Sequence, residues 1–195
     1  MQWKDLNPDI NFVDIKNLFC AMNCGSAIRL QMILDQGLRL FILNSCYDKI
    51  IKHVKSDSKE IGGLLLGKIL IKKQYNVNTS ISVVMILDSV PSKVHKNTSV
   101  SLEMSTEIWN SANKRTTDNL IIIGWYHSHP DLGAFFSGTD RKTQRSFFNH
   151  EYSVGWVIDP IRNEQKIFTG KESTEYFSNF ICLRQNTDII ESINN

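Results

Sequence analysis

The sequence predicts an α/β fold: one domain with a central mixed β-sheet flanked by helices. Short apolar runs typical of buried strands recur along the chain, and they alternate with segments whose apolar residues repeat at helical spacing. The chain has 195 residues, enough for one well-filled domain with terminal extensions. We find no internal repeat, low-complexity tract or interdomain linker. The pattern therefore favours a single domain.

The first half of the domain begins with a strand, a helix and a buried strand. Residues 38–42 are strand-like, and Asn44 or Ser45 can cap the helix that follows. That helix would turn one apolar face inward, made of Cys46, Ile50, Ile51 and Val54. Residues 60–70 form a largely apolar run typical of a buried strand, and the glycines within it allow other backbone to approach closely.

The remaining elements alternate in the same way. They are a strand over residues 81–87, a polar loop over 91–100, a helix over 104–114, a strand over 120–126, a helix over 138–149, and strands over 154–158 and 166–169. Residues 1–36 have no clear period. They can form a helix or clamp packed on the domain, or a surface that meets a partner.

Charge, hydropathy and cysteine content indicate which partners and which cellular compartment to expect. The net charge of +2 gives no electrostatic case for nucleic acid or a membrane surface. No apolar run approaches the ~20 residues that span a bilayer, and the first residues do not resemble a secretory signal. Cys20 and Cys24 could share a helical face and hold a second metal, although no partner pair follows. We expect free thiols in a reducing cytoplasm, with Cys46 in the core.

Two histidines and an aspartate suggest a metal site. His127 and His129 directly follow the predicted buried strand over residues 120–126, and side chains two apart on an extended backbone point to the same side. Asp140 follows at a predicted helix start and can complete the set. Two imidazoles and one carboxylate suit zinc, and three protein ligands leave a position open for water. The pattern indicates metal-assisted hydrolysis.

Each of these residues also has a simpler interpretation. Ser137 and Asp140 form S-x-x-D before a helix, which is a capping pair. His127 and His129 can be hydrogen-bonded residues at a strand end. Their occurrence together after one buried strand is harder to explain in that way, and capping by Asp140 is compatible with ligation.

A hydrolytic zinc site also needs a base that holds the attacking water and moves its proton. Glu60 begins the apolar strand over residues 61–66 and could lie at the sheet end beside the metal. It can equally be a solvated residue at a strand start. Glu103 and Glu107 are rivals by composition, but neither begins a buried strand.

Together these residues resemble a known family. Glu60, His127-Ser128-His129, Ser137 and Asp140 match E…H-[ST]-H-P-x6-S-x-x-D, the JAMM motif of the JAB1/MPN zinc metalloproteases. Flanking segments resemble the family as well: Gly63-Leu64-Leu65-Leu66-Gly67, Gly124-Trp125-Tyr126, Thr143-Gln144 and Val157-Ile158-Asp159-Pro160. The segment G-W-Y-H-S-H-P, residues 124–130, is especially similar to the deubiquitinases of the proteasome lid and the signalosome. The resemblance covers about residues 38–170.

The resemblance implies an MPN, or cytidine-deaminase-like, domain over residues 37–172, with extensions over 1–36 and 173–195. It implies His127, His129 and Asp140 as ligands of one catalytic Zn²⁺ with a bound water. Glu60 would be the general acid/base, and Ser137 would hydrogen-bond the oxyanion of the tetrahedral intermediate. No motif residue is missing. Inactive members of the family have usually lost their metal ligands, so the intact motif disfavours placing this chain among them.

The same resemblance implies cleavage after the Gly-Gly tail of ubiquitin or a ubiquitin-like protein. We expect residues 91–104 to bind that tail or cover the site, because the family has a substrate-facing insertion there. The short interval from Phe148 to Tyr152 leaves little room for a second insertion. Phe135 and Phe136 either flank the cleft or pack the loop between His129 and Asp140. Pro130 and Gly133 are expected to shape this loop. Asp159-Pro160 can simply end a strand.

Several functions stay open. The chain also resembles smaller, prokaryotic-type JAB proteins, some of which process ubiquitin-like modifiers, and an activating or conjugation-system partner is conceivable. One alternative is a zinc hydrolase of small peptides or amino-acid adducts. Another is a non-catalytic MPN scaffold that assembles a complex through its N-terminal segment. Glu60 and Ser137 disfavour the scaffold, which needs neither.

Overall fold

The structure is a computed structural model that describes residues 13–16, 25, 27, 31–32, 38–72, 80–92, 106–116, 120–178 and 180–183. Nine strands lie within these residues: β1 (Val13–Asp14), β2 (Arg39–Leu43), β3 (Gly62–Lys72), β4 (Ser80–Pro91), β5 (Ile121–Ser128), β6 (Val154–Asp159), β7 (Glu164–Thr169), β8 (Thr174–Tyr176) and β9 (Ile181–Leu183). Three complete helices accompany them: α1 (Asn44–Val54), α2 (Thr106–Arg115) and α3 (Gly138–Phe147).

The strands form one mixed sheet in the order β8-β7-β6-β5-β3-β4-β2-β9. Strands β5 and β6 run parallel, as do β2 and β4, whereas β3 is antiparallel to both β4 and β5. Strand β1 pairs with β3 at Leu70 and Ile71, beyond the stretch that β5 occupies. The predicted α/β fold with a central mixed sheet is confirmed.

Helices cover both faces of the sheet. Cys46, Ile50 and Val54 of α1 are buried against one face, which carries Leu65 among other aliphatic side chains. On the opposite face, α2 packs Ile108 and Ala112 in a cluster with Leu64 and Leu66. Neighbouring residues of β3 thus contribute to different cores, because side chains alternate across a strand.

Two expectations about local structure need correction. The residue before α1 is Leu43, whose side chain makes no capping hydrogen bond, so Asn44 and Ser45 lie inside the helix and neither caps it. Strand β4 runs on past residue 87 to Pro91, because its antiparallel pairing with β3 continues across Asp88 and Ser89 to the Gly63–Pro91 pair.

Strand β6 lies so close to β5 that a side chain at Gly124 is excluded. A Cβ on this glycine would lie 1.9 Å from the carbonyl oxygen of Val154. The pairing it permits aligns Tyr126 with Trp156 and His127 with Val157. The absence of a side chain at Gly124 therefore lets two parallel strands end side by side, where the candidate site lies.

Two cysteines fall within the described residues, and both are free thiols. Cys46 is buried in the core, as predicted, and burial raises the pKa of its thiol to about 12. Cys182 is exposed. Cys20 and Cys24 lie outside the described residues, so their proposed metal site stays a prediction. Within the described ranges, no helix is both long and apolar enough to cross a membrane.

Candidate active site

Strand β5 and the residue after it supply both histidines. Trp125 and His127 project from the same face of β5, and His129 follows two residues later. The backbone N–H of His129 donates to the carbonyl oxygen of Ile158 at 2.9 Å, so β6 fixes the backbone there. Both imidazoles are buried. The strand periodicity therefore places the two rings together, as the sequence predicted.

Helix α3 supplies the carboxylate through its first turn. The backbone N–H of Asp140 donates to Ser137 Oγ at 3.2 Å, and the N–H of Ser137 donates to Asp140 Oδ2 at 2.7 Å. These reciprocal bonds form a capping box. The capping interpretation is thus correct, and it leaves Asp140 Oδ1 turned toward His127 at 3.3 Å. Capping holds the carboxylate beside the histidines.

The three side chains converge on one point. His127 Nε2 lies 3.1 Å from His129 Nε2, and His129 Nε2 lies 3.7 Å from Asp140 Oδ2. All three ligand atoms lie within 4.8 Å of one another. A tetrahedral zinc ion with bonds of about 2.0–2.1 Å would need ligand atoms roughly 3.3 Å apart. The separations of 3.1, 3.3 and 3.7 Å are close to this spacing, with Asp140 facing His127 through Oδ1 and His129 through Oδ2.

The protonation states also suit a metal. Burial lowers the pKa of His129, and the neighbouring His127 lowers it further, which favours the neutral imidazole that binds a cation. Burial acts to raise the pKa of Asp140. Hydrogen bonds with His127 and Ser137 outweigh that effect and hold the pKa at about 2. The shifts of His129 and Asp140 thus favour the neutral imidazole and the anionic carboxylate, the forms that bind a cation.

Glu60 lies beside this group and outside it. Its Oε1 atom is 3.9 Å from His129 Nε2, and its side chain is 27% exposed. Burial raises the pKa of Glu60. The nearby His127 opposes this effect in part, and Asp140 adds a smaller increase. A carboxyl group near a metal, partly open to solvent and with raised proton affinity, is suited to moving protons.

Ser128 holds the segment that carries Glu60, a role that the sequence did not reveal. The Ser128 hydroxyl accepts from the N–H of Ile61 at 3.0 Å, and the N–H of Ser128 donates to the carbonyl oxygen of Ile61 at 2.8 Å. The serine between the two histidines thus connects their strand to Glu60. A polar residue alternating with buried ligands was the only signal available.

Of the two rival glutamates, the structure describes Glu107, which is not paired with either histidine of the site. Glu107 is exposed in the first turn of α2. Glu103 lies outside the described residues. Among the glutamates of the described ranges, Glu60 is the one paired with a histidine of this site.

Phe135 and Phe136 have different positions, one beside the site and one in the core. Phe135 is 46% exposed, and its ring centroid lies 4.9 Å from that of His129. Phe136 is buried and stacks on Phe168 at 4.1 Å, with His127 at 6.0 Å. Phe135 therefore flanks the site, whereas Phe136 packs beneath it.

With this geometry established, comparison with known proteins identifies the family. A family model described as "JAB1/Mov34/MPN/PAD-1 ubiquitin protease" matches residues 38–153, more than half of the chain. The chain belongs to this family. The family suggested by the motif is confirmed, and so is the MPN fold.

Individual relatives support the assignment. The chain is 31% identical over 135 residues to "Ubiquitin carboxyl-terminal hydrolase RPN11" of Saccharomyces cerevisiae, covering 66% of this chain and 41% of that protein. It is 34% identical over 124 residues to "COP9 signalosome complex subunit 5" of Dictyostelium discoideum, covering 58% and 33%. The chain thus spans less than half the length of these curated relatives.

A solved structure shows the same fold. The solution structure of protein DSY2949 from Desulfitobacterium hafniense superposes with a TM-score of 0.56 and 16% sequence identity, covering 75% of this chain and 94% of that one. The similarity concerns the fold alone. The family includes metalloisopeptidases and non-catalytic members, so catalysis has to be argued from this chain's own residues.

Proposed function

We propose that this MPN-family protein is a zinc metallo-isopeptidase or peptidase that cleaves after the C-terminal Gly-Gly of ubiquitin or a ubiquitin-like protein. One observation carries the proposal: His127, His129 and Asp140 converge within 4.8 Å, with Glu60 3.9 Å from one of them. Deconjugation and precursor processing both require hydrolysis of an amide bond after Gly-Gly, so the proposal includes both.

His127, His129 and Asp140 would hold the ion. When bound, zinc supplies a Lewis acid that polarises the scissile carbonyl and lowers the pKa of water to about 7. Glu60 takes the proton of the attacking water and delivers it to the leaving amine. Its raised pKa favours this role, because the carboxyl group must bind a proton and then release it.

Ser137 would donate a hydrogen bond to the oxyanion. Its oxygen accepts from the Asp140 N–H, which leaves the hydroxyl proton able to point toward substrate. The same capping box positions both the ligand and the donor. A donor fixed before charge develops stabilises the transition state more than the ground state.

Replacing Ser137 with Ala is expected to lower kcat by about 100- to 1,000-fold, the usual effect of losing one oxyanion donor. The lost helix cap should reduce the free energy of unfolding by only about 1 kcal/mol. Ser137→Thr is the matched control, because it keeps the hydroxyl and the cap. Steady-state kinetics and chemical denaturation measure the two effects. A wild-type kcat in Ser137→Ala would restrict Ser137 to capping.

The substrate class is proposed from the family and its named relatives. The yeast relative is named as a ubiquitin carboxyl-terminal hydrolase. A Gly-Gly tail lacks side chains, so backbone pairing with an extended segment recognises it well. We assign that role to residues 91–104, most of which lie outside the described residues. Only six residues, 148–153, separate α3 from β6, which disfavours a second substrate insertion.

The wider assignments stay proposals. We assign the enzyme domain to residues 37–172, with 1–36 and 173–195 as extensions that can meet an activating or conjugation-system partner. We expect a cytoplasmic location. A non-catalytic scaffold would need neither Glu60 beside His129 nor an oxyanion donor at Ser137. The small-peptide hydrolase differs from the main proposal in its substrate.

A cleavage assay tests the function. Purified protein would be incubated with ubiquitin-like modifiers that carry a C-terminal extension after Gly-Gly, as a linear fusion and as a lysine isopeptide. We expect release of the modifier ending in Gly-Gly, abolished by a zinc chelator and restored by Zn²⁺. Cleavage of short peptides at equal rates with and without Gly-Gly would favour the small-peptide alternative. Zinc binding without cleavage of any substrate would favour the scaffold.

A further inference from the structure

We infer that Gln144 and Trp125 are positioning residues that set the ring plane of His127, so that α3 aligns two of the three zinc ligands. The inference rests on the proposed function, because it assigns His127 to the metal. Neither residue is placed to contact substrate or metal. Each acts through the imidazole.

Gln144 is fixed by two hydrogen bonds of opposite polarity. Its Oε1 accepts from the indole Nε1 of Trp125 at 2.7 Å, and its Nε2 donates to the carbonyl oxygen of Gly170 at 3.2 Å. An indole N–H can only donate and a backbone carbonyl can only accept, so the amide has one orientation. Gln144 is completely buried. The indole is therefore held by a rigid acceptor.

The indole in turn lies flat against the ligand ring. The centroids of Trp125 and His127 are 4.5 Å apart, with an angle of 7° between the planes. Trp125 also stacks on Phe148, with ring centroids 6.0 Å apart and an angle of 12° between the planes. The imidazole plane of His127 is thus nearly parallel to an indole that is packed against Phe148 and hydrogen-bonded to Gln144.

This stacking replaces a contact that zinc-binding histidines usually have. A ligating histidine normally donates its second ring nitrogen to a carboxylate, carbonyl or water, which fixes the ring. His127 Nδ1 is buried and has no hydrogen-bond partner among the described residues. Rotation of the ring is instead restricted by Trp125, which makes the indole and its anchor important for metal geometry.

The spacing along α3 places Gln144, which anchors Trp125, on the same helix face as Asp140. Gln144 lies four residues after Asp140 on α3, and residues at i and i+4 share a helix face. The first turn therefore presents a ligand carboxylate, and the next turn anchors the ring that orients His127. A shift of α3 would move both ligands together.

The test compares Gln144→Met and Trp125→Phe with Trp156→Phe. Trp156 is a second fully buried indole, on the face of the sheet covered by α1, and its Nε1 has no hydrogen-bond partner in the described part of the chain. Its replacement controls for loss of a core indole. Zinc affinity would be measured by competition with a chromophoric chelator, and ligand geometry by the visible absorption of the Co²⁺-substituted protein.

We expect Gln144→Met and Trp125→Phe to bind zinc about 10- to 100-fold more weakly, the usual effect of losing an outer contact of a metal ligand. Their Co²⁺ spectra should change as well, whereas Trp156→Phe should keep wild-type affinity and spectrum. If Trp125→Phe fails to fold, Gln144→Met decides. Wild-type affinity and spectrum in Gln144→Met would overturn the inference.

The outcome is distinguishable from failure of the proposed function. Wild-type protein that binds no zinc would overturn the proposed function and this inference with it. Zinc that binds to wild type and is lost in His127→Ala, yet binds normally to Gln144→Met, would overturn only the positioning role.

Discussion

Replacing Glu60 with Gln is expected to lower kcat by about 100- to 10,000-fold, the usual contribution of a general acid/base. The amide keeps the size of the side chain but can neither take the water's proton nor return it to the leaving amine. Zinc content should stay at the wild-type level, because Glu60 lies outside the group formed by His127, His129 and Asp140. Steady-state kinetics and elemental analysis of the same sample provide both values.

Glu107→Gln is the matched control for this experiment. Glu107 is exposed in the first turn of α2, and its replacement should leave kcat within about twofold, since surface changes away from a site have small effects. Wild-type cleavage by Glu60→Gln would contradict its assignment as the acid/base. Loss of zinc in that variant would instead make Glu60 a ligand.

Replacing Asp159 with Asn is expected to cost about 2–4 kcal/mol of unfolding free energy, because a buried carboxylate holds two loops through backbone N–H groups. Oδ1 accepts from Asp131, Ile161 and Arg162, and Oδ2 accepts from Gly133 at 2.7 Å. In Asp159→Asn, an amide that keeps the three bonds to Oδ1 would turn its N–H₂ group toward the Gly133 N–H. Two hydrogen-bond donors would then face each other. Chemical denaturation at neutral pH measures the loss.

The same carboxylate predicts an acid transition. Burial acts to raise the pKa of Asp159, but the backbone hydrogen bonds outweigh it and lower the pKa to about 2. An unfolded aspartate titrates near 3.9, so the group contributes about 2–3 kcal/mol above that pH. This contribution is lost as the pH falls from about 4 toward 2. Unfolding curves across that range should show the loss in wild type and not in Asp159→Asn.

Asp131→Asn is the control for both measurements. Asp131 is an exposed partner of Arg162, and its φ of 60° is one that Asn tolerates well. We expect a change within about 0.5 kcal/mol. Equal stability of Asp159→Asn and Asp131→Asn would show that the buried carboxylate does not hold the loops.

The sequence predicted the parts of the site that depend on local spacing. Alternation along a strand places His127 and His129 on one side, and the S-x-x-D pattern correctly predicts that Ser137 caps the helix that carries Asp140 in its first turn. The apolar run after Glu60 likewise locates a buried strand. Each of these features depends on a few neighbouring residues whose geometry is fixed by the backbone.

Contacts between distant segments were not predictable in this way. Asp159 was interpreted as a strand end, because nothing nearby shows that the N–H groups of Asp131 and Gly133 turn toward it. The short strand β9 pairs with β2, which precedes it by more than 130 residues, and three residues show no period. Such contacts arise from the sheet order, which local patterns do not specify.

Zinc content tests the central claim most directly. Wild-type protein, His127→Ala and the control His150→Ala would be purified in the presence of Zn²⁺, dialysed and analysed for metal per chain. His150 is an exposed residue that stacks on Tyr152. The site predicts one zinc ion per chain in wild type and His150→Ala, and almost none in His127→Ala. Equal zinc in wild type and His127→Ala would contradict the assignment of this residue as a ligand.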